Sequence, residues 1–89
     1  MRLVEGLLLH DTPDGTIAVA TGDATKVLNG MIRLSPTAAF LFRALSQDTT
    51  EDALVQAVMT SFANAEEATV RSDIEKLLSD LRRAHLLLE

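Results

Sequence analysis

The stretch Leu28-Asn29-Gly30-Met31-Ile32-Arg33-Leu34-Ser35-Pro36-Thr37-Ala38-Ala39 decides the fold. Asn29-Gly30 is a tight-bend signal. From Met31 to Leu34 the residues alternate, with Ile32 and Leu34 on one face and Met31 and Arg33 on the other, the period of a strand. At Ser35 the apolar period changes from two to about 3.6. Ser35 offers an N-cap oxygen, and Pro36 sits in a first turn that needs no N–H, so the strand runs straight into a capped helix.

Upstream, residues 3–10 (Leu-Val-Glu-Gly-Leu-Leu-Leu-His) are short and apolar and predict a first strand. Thr12-Pro13-Asp14-Gly15 follows as a hairpin turn, Pro fixing the first central position and Gly supplying a positive φ. Thr16 to Thr21 predicts the antiparallel partner, with Ile17 and Val19 on one face and Thr16, Ala18 and Ala20 on the other. Gly22-Asp23 breaks that pattern.

Downstream, Ala38, Leu41, Phe42 and Leu45 repeat as one buried stripe of a first helix, which ends at Ser46-Gln47-Asp48. Thr49-Thr50-Glu51-Asp52 reads as a capping box, Thr49 reaching forward and Asp52 back, before a second helix lined by Leu54, Val55, Val58 and Phe62. Asn64-x-x-Glu67 opens a third helix in the same way. Val70, Ile74, Leu77, Leu78 and Leu81 form its core face, and Arg71, Glu75, Lys76, Ser79, Arg82 and Arg83 face water. Glu66 and Glu67 at its start and Arg82 and Arg83 at its end complement the helix dipole. The tail Leu86-Leu87-Leu88 packs back as a short extended piece. The expected architecture is α+β: a three-stranded antiparallel sheet packed on three helices, winged helix-turn-helix-like, as a single domain over residues 1–89.

The chain has 89 residues, enough for one domain with a real but thin core. Its hydrophobic fraction of 47% excludes wholesale disorder. Thirteen acidic residues against eight basic ones give a net charge of −5, the wrong sign for displacing counterions from nucleic-acid phosphates. Three Phe and no Tyr or Trp leave few surfaces on which bases could stack. No run approaches the ~18 apolar residues of a membrane span. The N-terminal apolar run, broken by Glu5 and Gly6, does not resemble a secretion signal, so a cytoplasmic location without membrane association is expected.

Enzymatic chemistry finds no foothold. Without cysteine there is no disulfide, thiolate zinc site or thiol nucleophile. His10 and His85 belong to no ligand-spaced pair, so neither a metal nor a general base is expected. Asp11, Asp14 and Asp23 fall in turn-rich segments, where short carboxylates act as local caps. No glycine-rich loop joins a strand to a helix as a phosphate cradle, and no cofactor is expected. A strand leading into helices with no catalytic constellation is the layout of a binding module.

Ile32-Arg33-Leu34-Ser35-Pro36-Thr37-Ala38, Thr50-Glu51-Asp52-Ala53-Leu54-Val55, and Asp73-Ile74-Glu75-Lys76-Leu77-Leu78-Ser79-Asp80-Leu81 ending in Leu86-Leu87 carry a further signal. In that order and spacing, Leu28 through Leu88 resembles the PqqD family, named for protein D of pyrroloquinoline quinone synthesis. Val4-Glu5-Gly6-Leu7-Leu8-Leu9 suits its short, free-standing members. Two positions depart from the family pattern: His85 stands where a glycine is common, and Gln47-Asp48 replaces a loop glycine.

The resemblance implies a non-catalytic recognition element for ribosomally made, modified peptides. Such a protein holds the leader of a precursor peptide as an added strand on the third strand, in a groove walled by the third helix. It presents the peptide to a modifying enzyme, often of the radical SAM class. The implied peptide-binding residues are Met31, Ile32, Arg33, Leu34, Val70, Arg71, Asp73, Ile74 and Leu77.

Backbone pairing alone would not suffice. Four added hydrogen bonds contribute roughly 2–6 kcal/mol at about 0.5–1.5 each. Micromolar affinity needs about 8 kcal/mol. Apolar contacts from Met31 and the flank of the third helix at Val70, Ile74 and Leu77 must supply the rest. Arg33 pairs with a leader carboxylate or simply guards an exposed edge against unwanted pairing. Asp73 is either an i,i+3 partner for Lys76 or a polar fixture of the groove. Arg71 and Lys76 either contact an acidic leader or form a solvated helix face. Two other functions fit the same elements. A winged-helix DNA-binding regulator needs bases on its recognition helix, and Glu51 to Ser61 has none. A small dimerisation domain would pair its edge strand with its own copy, and a homodimer is compatible with a thin core and an open edge.

Overall fold

The computed structural model describes residues 1–28 and 30–89. Its elements run β1 (Arg2–Leu3), β2 (Leu7–Thr12), β3 (Gly15–Ala20), a 3-10 turn (Gly22–Lys26), β4 (Met31–Leu34), α1 (Pro36–Ala44), α2 (Glu51–Ser61), α3 (Glu67–Arg83) and β5 (Leu87–Leu88). The expected α+β architecture is present, with the antiparallel sheet β2-β3-β4 and three helices.

The first strand differs from the sequence expectation by breaking in two. Residues 2–3 pair with the C-terminal β5, Leu3 opposite Leu87, and form a separate two-stranded ribbon. The Leu3 N–H donates to Leu45 O and the Val4 N–H to Leu86 O, both at 2.9 Å, so long-range partners take up this backbone. Gly6, at φ +100°, then turns the chain into β2. Its carbonyl accepts from both the Thr21 N–H (2.7 Å) and the Thr21 hydroxyl (2.8 Å).

In the hairpin, Thr12 pairs with Gly15 around the two-residue loop Pro13-Asp14. Gly15 closes the loop, and its φ of +131° is the positive value expected of it. Ala18 is fully buried, which assigns the small-residue face of β3 to the core, under α1, and turns Ile17 and Val19 outward. A small residue there lets the helix approach the sheet closely. The Asn29 half of the Asn-Gly bend lies outside the described residues; Gly30 has φ +96°.

Helix α1 starts as its sequence dictates: Ser35 Oγ accepts from the Ala38 N–H at 3.1 Å, with Pro36 first in the helix. Its buried stripe is Ala39, Leu41 and Phe42 with Leu45 at the C-cap. Ala38, expected in that stripe, is half-buried beside a groove. The cap of α2 is Thr50, whose hydroxyl accepts from the Ala53 N–H at 3.1 Å, not Thr49. Asp52 does not reach back, because it bonds Arg71 of α3 at 2.9 Å. Arg71 is accordingly half-buried between helices and not simply solvated. Asn64 does not cap α3 either: it adopts a left-handed φ of 62° in the connecting loop, and the cap position falls to Glu66 without a side-chain bond. The core joins Leu41, Phe42 and Leu45 to Leu54, Val55, Val58, Ile74, Leu78, Leu81 and the tail residue Leu86.

Helix α3 ends in a Schellman motif. The Leu86 N–H donates to Leu81 O at 2.9 Å and the His85 N–H to Arg82 O at 3.1 Å. This closure requires a left-handed residue, and His85 has φ 60°. That is the physical reason a glycine suits the position. His85→Gly is expected to stabilise the domain by about 0.5–1 kcal/mol, the left-handed penalty less the added freedom of the unfolded chain. Thermal melting should rise by roughly 3–6 °C; an unchanged or lower midpoint would contradict the account.

Candidate functional site

β4 is a sheet edge. Its one described strand neighbour is β3, in the register Thr16 to Leu34, Ile17 to Arg33, Ala18 to Ile32 and Val19 to Met31. In an antiparallel ladder successive residues direct their N–H and C=O alternately to the two sides. Two of the four β4 residues therefore turn these groups away from β3, leaving two donors and two acceptors without a strand partner.

A groove begins at Ser35, the residue after β4, and runs between α1 and α3. Its first part, about 260 Å³, is lined by Ser35, Thr37, Ala38, Leu41, Asp73 and Leu77. A second recess of about 170 Å³ is lined by Thr37, Val58, Phe62, Ala63, Ala65, Val70, Asp73 and Ile74. Thr37 and Asp73 line both, so the two recesses adjoin at these residues. Phe62 is held by an edge-to-face contact with Phe40 of α1, centroids 5.3 Å apart at 86°, a favoured aromatic geometry.

The nine residues singled out from sequence fall into four groups. Val70, Asp73, Ile74 and Leu77 come together in the groove. Ile32 and Leu34 lie on the inner sheet face and are half-buried, Leu34 packing on the core. Met31 and Arg33 lie on the outer face, Met31 65% exposed. There Met31 continues a row with Val19 and Leu8 across the three strands, and Leu8 is itself 58% exposed. Arg71 is bound to Asp52 (2.9 Å) and Glu51 (3.5 Å) of α2. The hydrogen bond that Arg71 donates to Asp52 is the main cause that pushes its guanidinium pKa above the ordinary value. Asp73 forms no ion pair or hydrogen bond through its carboxylate among the described residues, with Lys76 or any other group.

Sequence reading missed the far wall: Thr37, Ala38 and Leu41 of α1, and Phe62, Ala63 and Ala65 after α2. Phe62 and Leu41 carry the same apolar signal as any core position, so periodicity alone does not single them out. A larger hollow of about 360 Å³ lies elsewhere, under β1 and β2, lined in part by Arg2, Glu5, Phe42 and Arg43. Beside it Arg43 bonds Asp11 at 2.7 Å. Thr16 first and Arg43 second hold the Asp11 carboxyl below its ordinary range. Among the described residues no cluster of three or more metal-ligating side chains occurs, and no helix is long and apolar enough to cross a membrane.

No curated protein and no solved structure matches this chain. The family model described as coenzyme PQQ synthesis protein D matches residues 8–87, from Leu8 within β2 to Leu87, and with them both the free edge and the groove. The chain belongs to the PqqD family.

Proposed function

We propose that this protein is a non-catalytic peptide chaperone. It takes the leader of a ribosomally made precursor as a fourth strand on β4 and presents it to a modifying enzyme, such as a radical SAM enzyme. The observation that carries this reading is the outer edge of β4, without a strand partner among the described residues, leading directly into Ser35, which lines the α1–α3 groove. A strand added there has backbone partners on one side. Its alternate side chains point into the groove toward Leu77, Val70 and Ile74, while the others continue the outer row at Met31. The apolar recesses supply the affinity that four backbone hydrogen bonds lack. Arg71, braced on α2, holds the wall of the groove and is not spent on the guest.

The test is titration of the isotopically labelled protein with the leader of a precursor encoded beside it. Amide shifts concentrated at residues 30–35 and along α3 are expected. An unmoved spectrum at roughly millimolar peptide, a concentration that would populate even a weak complex, would overturn the reading.

A further inference from the structure

Resting on that strand-addition reading, we propose that the groove selects guests carrying a lysine or arginine for Asp73 next to a large apolar side chain for the Phe62-lined recess. Asp73 lines both recesses, and the other residues there are the hydroxyl-bearing Ser35 and Thr37 and otherwise apolar side chains, among them Leu41, Leu77, Phe62, Val70 and Ile74. The charges nearest in sequence do not neutralise it. Arg71 is committed to Asp52 and Glu51, and Lys76 makes no ion pair with Asp73 among the described residues. Asp73 is exposed, so its carboxylate is open to solvent while the groove is empty. A strand lying across the groove would displace that solvent, and a covered carboxylate without a donor is strongly disfavoured.

Selection thus acts mainly by rejection. A guest with an acidic or apolar residue over Asp73 strands the charge, whereas a basic one restores its hydrogen bonds. The net charge of −5 favours a basic guest at long range as well. The recess of about 170 Å³ behind Asp73 accepts one large aliphatic or aromatic side chain, walled by Phe62, Val70 and Ile74. Successive inward-facing residues of a strand are two apart. The recognised pattern is therefore a basic and a large apolar residue at i and i+2, in either order.

The experiment is a display selection of random peptides of about ten residues, a length that covers one strand, on the immobilised full chain, on Asp73→Asn and on Asp73→Lys. Thermal melting of each variant establishes folding. Wild-type protein should enrich the basic–x–apolar pattern, Asp73→Asn should lose the charge preference while keeping the apolar one, and Asp73→Lys should select an acidic residue instead. In a selected peptide, Lys→Glu should weaken binding to the wild type by about tenfold or more, and Asp73→Lys should recover most of it. Selected peptides that shift β4 amides but bind all three proteins without a change in charge preference would overturn this inference and leave strand addition standing. Failure to select any peptide that shifts β4 would remove both.

Discussion

Gly6→Ala is expected to destabilise the domain by roughly 3 kcal/mol, which combines a positive-φ penalty of about 1–2 with a comparable steric cost. A Cβ at this position would collide with the Thr21 carbonyl oxygen and press on the Ala24 side chain at 3.1 Å. Both obstacles belong to the first turn of the 3-10 segment, where Ala24 is buried, and the Gly6 carbonyl is held at the same place by two Thr21 bonds. Neither side can retreat without breaking the other. For a domain of this size the midpoint should fall by about 15 °C. Gly22→Ala is the control: Gly22 has φ +57°, but nothing lies within 4 Å of a Cβ there. It should lose only about 1 kcal/mol. Equal losses at both sites would show that the packing against Thr21 and Ala24 contributes nothing.

The strand-to-helix passage at residues 31–39 was legible because everything that shapes it is local. The Ser35 hydroxyl needs only the N–H three residues on, and Pro36 only its own ring. The splitting of the first strand was not legible, because the partners of Leu3 and Val4 are Leu45 and Leu86, far along the chain. The cap of α2 shows a subtler limit. Thr49 and Thr50 have the same capping chemistry, and the choice falls to Thr50 in a frame where Asp52 is engaged by Arg71 from another helix. One wall of the groove followed from the 3.6-residue period of α3, which sets Val70, Ile74 and Leu77 on one side. The opposite wall did not, since Thr37, Ala38, Leu41 and Phe62 acquire a common purpose only when α1 and α2 pack. His85 lies between these cases. Its departure from glycine was visible, and the left-handed turn that makes it matter was not.

A proline scan across Met31, Ile32, Arg33 and Leu34 should give a response with a period of two. Proline removes one N–H and is tolerated on an edge strand when that N–H faces away from the sheet. At the two alternating positions whose N–H points outward, the β3 ladder should survive and melting should change little. Guest binding should weaken there by about 10- to 100-fold, from the lost hydrogen bond and the ring standing in the incoming strand's path. At the other two positions the bond broken is one to β3, and the sheet itself should loosen, lowering the midpoint. Melting thus sorts the four variants into inward and outward pairs independently of any ligand, and peptide titration then asks whether the outward pair has lost the guest. A peptide held by the groove alone would bind both stable variants as tightly as the parent, since proline on β4 leaves Leu77, Asp73 and the Phe62 recess untouched. Retained affinity in both outward variants would therefore exclude strand addition, while loss confined to them ties recognition to the backbone of β4.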